Sequence, residues 1–72
     1  MRDWLMKIRE EHGMTQLEVA KKLDISESYY SYIESGERQK KMDIALASKL
    51  SVVFSVPIER IVELEGVGNA EN

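Results

Sequence analysis

The residues of this chain that could bind a ligand through hydrogen bonds are concentrated between residues 26 and 35. Tyr30 and Ile33 are three apart, a spacing that predicts a helix with both side chains facing a core. Positions three and four apart share a helix face, so the opposite face is polar. Its members are Glu27, Ser28, Ser31, Tyr32 and Ser35. Hydroxyls and an aromatic edge can bind base edges or a thymine methyl group, but they also suit an ordinary solvated surface.

Two short helices separated by a tight turn must position this polar face. Thr15 and Glu18 have the spacing of a capping box, which predicts that a helix starts there. Its inward positions are Val19, Ala20 and Leu23. Asp24 tolerates a left-handed turn and Ser26 is a good N-cap, while Gly36 suits the end of the second helix. Helices joined by so short a turn must cross steeply, which predicts a helix-turn-helix.

The residue types at fixed offsets extend this pattern. The chain reads Leu-x-x-Ile-Arg-x-x-x-Gly-x-Thr-Gln from Leu5, Val-Ala-x-x-Leu from Val19, and Ile-Ser-x-Ser-Tyr-Tyr-Ser-x-Ile-Glu-x-Gly-x-Arg from Ile25. This combination resembles the Cro/C1 repressor-like (XRE) family of small DNA-binding domains. The resemblance implies an all-α, compact five-helix bundle of the lambda-repressor type, with the helix-turn-helix in helices 2 and 3. It also implies a sequence-specific, repressor-like transcriptional regulator that binds double-stranded DNA.

The resemblance assigns roles to individual positions. The third helix would enter the major groove, with Glu27, Ser28 and Tyr32 in contact with bases and Ser31 at the edge. Gln16 matches a phosphate-contacting glutamine, and the cations after the third helix would bind the DNA backbone. The complete predicted DNA-binding set is Gln16, Ser26, Glu27, Ser28, Ser31, Tyr32, Ser35, Arg38, Lys40 and Lys41. Glu27 could equally be a helix-capping charge, and the cations could be an ordinary solvated loop.

Four further residues of the pattern are interpreted structurally. By the same resemblance, Arg9 and Glu34 would form an ion pair that fixes the third helix against the first, so Glu34 is not expected to contact DNA. Tyr30 replaces a usual aliphatic residue, and its hydroxyl must reach the surface or a partner. Tyr29 could face either the core or a phosphate, and packing is favoured.

Composition excludes other classes of function. The chain has 72 residues, no cysteine and one histidine, His12, so it lacks a metal-ligand set. No serine has a base at motif spacing and no phosphate-binding loop is present, so we expect neither an enzyme nor a cofactor. No apolar segment could span a membrane, and a cytoplasmic protein is expected. Residues 1–65 form one predicted domain, and residues 66–72 form a predicted flexible tail.

The net charge of −3 is unusual for a DNA-binding protein. Residues 1–41 contain eight Lys or Arg and eight Asp or Glu, whereas residues 42–72 contain two and five. The excess acidity therefore lies outside the predicted helix-turn-helix. The domain can still bind phosphates through clustered cations, but its non-specific DNA affinity should be modest.

The remaining sequence predicts a fourth helix from about Asp43 and a fifth from Pro57 to Gly66. The inward positions of the fourth are Ile44, Ala47, Leu50, Ser51 and Phe54. The fifth carries Ile58, Ile61, Val62 and Leu64, more apolar residues than it can bury in one direction. Ile61 best suits the core, and the others suit a homodimer on a two-fold-related operator. The alternative is a protein-interaction module, such as an antitoxin or accessory domain, that binds a partner through this helix.

Overall fold

Five α-helices make up the part of the chain that the computed structural model describes, residues 1–36 and 42–68, with side chains in 1–36 and 42–66. They are α1 (Asp3–Glu11), α2 (Gln16–Leu23), α3 (Glu27–Ser35), α4 (Ile44–Phe54) and α5 (Ile58–Gly68). These residues contain no strand. The predicted all-α, five-helix architecture is confirmed.

Side-chain caps define where three of the helices begin. Thr15 Oγ1 accepts from the Glu18 backbone N–H at 3.1 Å, and Glu18 Oε1 accepts from the Thr15 backbone N–H at 2.8 Å. Ser26 Oγ accepts from the Tyr29 N–H, and Asp43 caps α4 in the same manner. Each cap satisfies a first-turn N–H that has no acceptor within its own helix. The predicted starts of α2, α3 and α4 are therefore confirmed.

The turn between α2 and α3 depends on one left-handed residue. Asp24 has φ 60° and ψ 44°, a conformation that aspartate tolerates better than most residues. This reversal lets the Asp24 N–H donate to the Lys21 carbonyl and the Ile25 N–H donate to the Ala20 carbonyl, at 3.1 and 3.0 Å. Both bonds satisfy carbonyls at the end of α2. The chain can then restart a helix at Ser26 in a new direction.

The core lies where all five helices meet. Its buried apolar residues are Leu5, Val19, Ala20, Leu23, Tyr30, Ile33, Ala47, Leu50, Phe54 and Ile61. Ile8 lies three residues after Leu5 on the same face of α1, and it is half-buried and packs against the core. Because α2 packs more extensively on α3 than on any other helix, the core fixes the orientation of the polar face of α3.

Two predictions about α4 and α5 are wrong. Ile44 is 69% exposed, because the buried row of α4 begins at Ala47 and does not extend back to the first residue of the helix. The α5 helix does not end at Gly66 but continues to Gly68. Glycine ends a helix when it adopts the left-handed conformation, and Gly66 is not among the glycines with positive φ. The first three residues of the predicted tail are therefore helical, and residues 69–72 lie outside the described residues.

Replacing Ala20 by leucine is expected to lower the free energy of unfolding by about 1–3 kcal/mol through overpacking. Ala20 has no exposed surface and lies on α2 in the core shared with α3. Ala45→Leu, on the exposed surface of α4, is the matched control and should have little effect. Urea denaturation of both variants measures the difference, and equal stability of Ala20→Leu and the parent protein would contradict this packing.

Candidate nucleic-acid interface

A shallow groove of about 310 Å³ runs between the start of α2 and the outward face of α3. Its lining residues are Gln16, Glu27, Ser28, Ser31 and Tyr32. Glu27 and Ser28 are exposed, whereas the other three side chains are half-buried. The structure thus brings together five residues of the predicted DNA-binding set. Four come from one helix face, and Gln16 is added by the crossing of the two helices.

Other predicted positions near this groove have local structural tasks. The Ser26 hydroxyl is the N-cap of α3, and the half-buried Ser35 hydroxyl donates to the Tyr32 carbonyl at 3.1 Å. Tyr29 is 43% exposed, so the preference for packing it in the core is wrong. Arg38, Lys40 and Lys41 lie outside the described residues.

An ion pair beneath the groove connects α1, α3 and α2. Arg9 Nε donates to Glu34 Oε2 at 2.8 Å, and Arg9 Nη2 donates to Glu34 Oε1 at 3.1 Å. Arg9 Nη1 also donates to the Met14 carbonyl. The predicted structural pair of Arg9 and Glu34 is therefore confirmed. The sequence did not predict that Gln16 Nε2 donates to the same Glu34 Oε1, also at 3.1 Å.

The charge of Glu34 is stabilised although its side chain is only 3% exposed. Burial acts to raise its pKa, but hydrogen bonds, the strongest from Arg9, outweigh burial and hold the pKa below its ordinary value. The Arg9 pKa is raised in turn, chiefly by the hydrogen bond to Glu34. Glu34 therefore remains a carboxylate that only accepts hydrogen bonds.

The Tyr30 hydroxyl is buried beside this pair. Burial, and next the neighbouring Glu34, raise the pKa of Tyr30 well above its ordinary value. Although the hydroxyl is close enough to influence Glu34, it is not placed for a hydrogen bond of normal geometry with any described residue. The hydroxyl therefore does not reach the surface, and the Glu34 carboxylate is the polar group beside it.

A second buried ion pair, which the sequence gave no reason to expect, holds the end of α3. The Arg2 guanidinium donates to both carboxylate oxygens of Glu65 at 2.8 and 2.7 Å and to the Ile33 carbonyl at 2.5 Å. The Arg2 backbone N–H donates to the Glu34 carbonyl, and Trp4 Nε1 donates to Glu65. Arg2 thus caps α3 from outside the helix and connects it to α5.

The described ranges give no support for metal binding or for a membrane-spanning helix. No three His, Cys, Asp or Glu side chains there come close enough to hold a metal ion. The two ring nitrogens of His12 lie within hydrogen-bond distance of two backbone carbonyls, Nδ1 at 2.8 Å from that of Ile8 and Nε2 at 3.1 Å from that of Phe54, and a nitrogen that carries a proton donates to its carbonyl. Its ring also contacts that of Phe54 edge-on, which gives His12 a structural task at the end of α1. Within these ranges no helix is both long enough and apolar enough to cross a bilayer.

A packed α2–α3 pair joined by a tight turn, with a polar groove on the outward face of α3, defines a helix-turn-helix domain. The helix-turn-helix family profile matches residues 5–61. The chain is also 38% identical over 63 residues to the "Uncharacterized HTH-type transcriptional regulator YqaF" of Bacillus subtilis (strain 168), covering 85% of this chain and 83% of that protein. No solved structure matches significantly. The chain belongs to the Cro/C1-type (XRE) helix-turn-helix family.

Membership places the chain among DNA-binding transcription regulators. Proteins of this family are typically not enzymes, and their ligand is double-stranded DNA. The match begins at residue 5 and ends at residue 61. It therefore includes the whole groove and the Arg9–Glu34 pair, but neither Arg2 nor Glu65.

Proposed function

We propose that this protein is a sequence-specific, repressor-like regulator whose α3 helix reads bases in the major groove of operator DNA. The observation that carries the proposal is the groove in which Gln16 of α2 meets Ser28, Ser31 and Tyr32 of α3. Ser28 lies in the first turn of α3 and Tyr32 lies one turn later on the same face. Such a regulator would act where the DNA is, in the cytoplasm.

The start of α2 is suited to hold a phosphate beside this groove. The first-turn N–H groups of a helix have no acceptor in their own helix, and the helix dipole favours an anion there. The capping box uses the N–H of Glu18, so the N–H groups of Gln16 and Leu17 face the end of the helix. Together with the Gln16 carboxamide they would position the domain on the DNA backbone, a role that carries no sequence information.

Glu27 gives the reading surface its negative charge. It is exposed in the first turn of α3, where a carboxylate is favoured by the helix dipole. In the major groove it could accept a hydrogen bond from the amino group of cytosine, and phosphates would repel it. We propose that Glu27 contributes to selection of a base rather than to overall affinity.

Replacing Ser28 by alanine or Tyr32 by phenylalanine is expected to weaken operator binding by about 1–3 kcal/mol and to change binding to random DNA little. Each substitution removes one hydroxyl and leaves most packing in place. The operator is first obtained by selection of bound sites from random duplex DNA, and affinities are then measured by titration. Equal losses on operator and random DNA would show that the assigned reading face is wrong.

Two control variants separate base recognition from general DNA affinity in this experiment. Ser48→Ala removes an exposed hydroxyl from α4 and should change neither affinity. Lys40→Ala should weaken both kinds of DNA alike and reduce the slope of log affinity against log salt by about one per protomer. Lys40 lies outside the described residues, so its role is proposed from its position after α3.

We also propose that the protein binds a two-fold-related operator as a homodimer. One domain contacts few base pairs, and two reading helices about 34 Å apart would contact one face of DNA. Ile61 is fully buried in the monomer core and Ile58 packs against that core. The apolar surface that α5 can offer a second copy is therefore narrower than its four apolar residues suggest. It centres on Val62, which is 51% exposed, whereas Leu64 is half-buried and lies on a different face of the helix.

Equilibrium sedimentation of the free protein and of its complex with a palindromic operator is expected to show two chains on the operator. Val62→Glu should shift the association toward monomer, since it places a charge in the apolar contact. Val52→Glu is the matched control, because Val52 is 80% exposed on α4. A mass that corresponds to one chain, both for the free protein and for its complex with DNA, would contradict the proposed homodimer.

A further inference from the structure

The Glu34 carboxylate has a second task besides its ion pair. Its Oε1 atom accepts from Arg9 Nη2 and from Gln16 Nε2, each at 3.1 Å, while Oε2 accepts from Arg9 Nε at 2.8 Å. The Glu34 side chain is buried and Gln16 is half-buried at the rim of the groove. One buried oxygen therefore connects the structural pair to the side chain at the groove.

The chemistry of these groups determines how the Gln16 carboxamide is oriented. A carboxylate only accepts hydrogen bonds, so the amide group, and not the carbonyl oxygen, must face Glu34. The assignment of Nε2 and Oε1 in Gln16 thus follows from its partner. The bond uses one N–H of the amide group and leaves the second one for another acceptor. A phosphate oxygen is such an acceptor.

Arg9 makes this arrangement compatible with a polyanion. An uncompensated carboxylate near the groove would repel phosphates, but two hydrogen bonds from the Arg9 guanidinium balance the charge of Glu34. Since Arg9 also bonds to the Met14 carbonyl, the guanidinium is held at both ends. Glu34 can therefore hold Gln16 without moving itself.

We propose that Glu34 is a positioning residue for DNA binding, which acts by holding the Gln16 carboxamide in the orientation that donates to a DNA phosphate. The inference rests on the proposed function of the groove and adds a residue that lies beneath it. A glutamine side chain loses rotational freedom when it is fixed. Fixing it before DNA arrives removes that cost from binding. Loss of the bond should then weaken DNA binding by about 3- to 10-fold.

A double-mutant cycle with Glu34→Gln and Gln16→Ala tests the proposal. Glu34→Gln keeps the shape of the side chain but has one acceptor oxygen instead of two, so the Arg9 guanidinium, which donates to both positions, competes with Gln16 for it. It should weaken DNA binding by about 3- to 10-fold when Gln16 is present, and by less than about twofold in the Gln16→Ala background. The same loss in both backgrounds would overturn the proposal, because Glu34 would then affect DNA binding by some other route.

A stability control accompanies the cycle. Val53→Ala, in the half-buried part of α4 that packs on the core, destabilises the fold away from Gln16. Its effect on DNA affinity should be the same in both backgrounds, which distinguishes a general loss of stability from positioning. Thermal denaturation of each variant confirms that the titrations are performed on folded protein.

The side-chain amide signals of Gln16 in the unmodified protein give a readout that needs neither DNA nor a stable variant. One of the two protons should exchange slowly with water, and in Glu34→Gln both should exchange as in a free glutamine. Fast exchange of both in the unmodified protein would overturn the proposal. If the slow proton is present but the protein binds no duplex DNA, the proposed function fails and the positioning role fails with it.

Discussion

Replacing Arg9 by alanine is expected to lower the free energy of unfolding by about 3–5 kcal/mol at neutral pH. The substitution leaves the Glu34 carboxylate, 3% exposed, without the guanidinium that donates to both of its oxygens. A buried charge without its partner costs far more than the net contribution of the intact pair. Urea denaturation monitored by circular dichroism measures the loss.

Arg60→Ala is the control for this first prediction. Arg60 and Glu63 form an ion pair on the surface of α5, where both side chains are more than half exposed. Water screens such pairs, so the change should be at most about 1 kcal/mol. Similar losses for Arg9→Ala and Arg60→Ala would show that burial does not give the Arg9–Glu34 pair its importance.

The pH dependence of the Arg9→Ala effect gives an internal check. The folded-state pKa of Glu34 lies below the ordinary value of 4.5. Its contribution to stability is therefore present above about pH 4.5 and is lost as pH falls through the folded-state pKa. The difference between the parent protein and Arg9→Ala should narrow as the pH is lowered below 4.5, because Glu34 becomes neutral in both proteins.

Replacing Arg2 by alanine is the second large prediction, with an expected loss of about 3 kcal/mol in the free energy of unfolding. Arg2 is 6% exposed, and its guanidinium donates to Glu65 and to the Ile33 carbonyl at the end of α3. The substitution removes charge-assisted bonds from both partners at once. Thermal and urea denaturation measure the loss.

Lys7→Ala is the matched control for Arg2→Ala. Lys7 is exposed on α1. The Lys7→Ala substitution therefore removes one cation from the same part of the chain without removing a buried hydrogen bond. Its effect should stay within about 0.5 kcal/mol. If Arg2→Ala is as mild as Lys7→Ala, the connection between α3 and α5 does not contribute to stability as the structure suggests.

The local parts of this fold could be predicted because each depends on residues close together in the sequence. The capping box of Thr15 and Glu18 and the N-cap Ser26 each require only a three-residue spacing. The turn at Asp24 requires one residue that tolerates positive φ. The buried row of Ala47, Leu50 and Phe54 follows from helical periodicity alone.

The same kind of reasoning gave wrong predictions at the margins of buried helix faces. Ile44 continues the apolar row by a spacing of three but lies at the exposed start of α4. Tyr29 is adjacent in sequence to the core residue Tyr30, yet its side chain is exposed. Periodicity predicts which residues share a face, whereas the distance over which two helices stay in contact decides how much of that face is buried.

By itself the sequence determined the helices, their caps, the helix-turn-helix and the polar face of α3, because these follow from short spacings. The Arg9–Glu34 pair was predicted from the family resemblance and not from residue spacing. Only the tertiary structure decided that Gln16 shares an oxygen of Glu34 and that Arg2 joins Glu65, 63 positions away. Such bonds depend on where the helices cross, and a crossing is determined by packing of the whole core rather than by any local pattern.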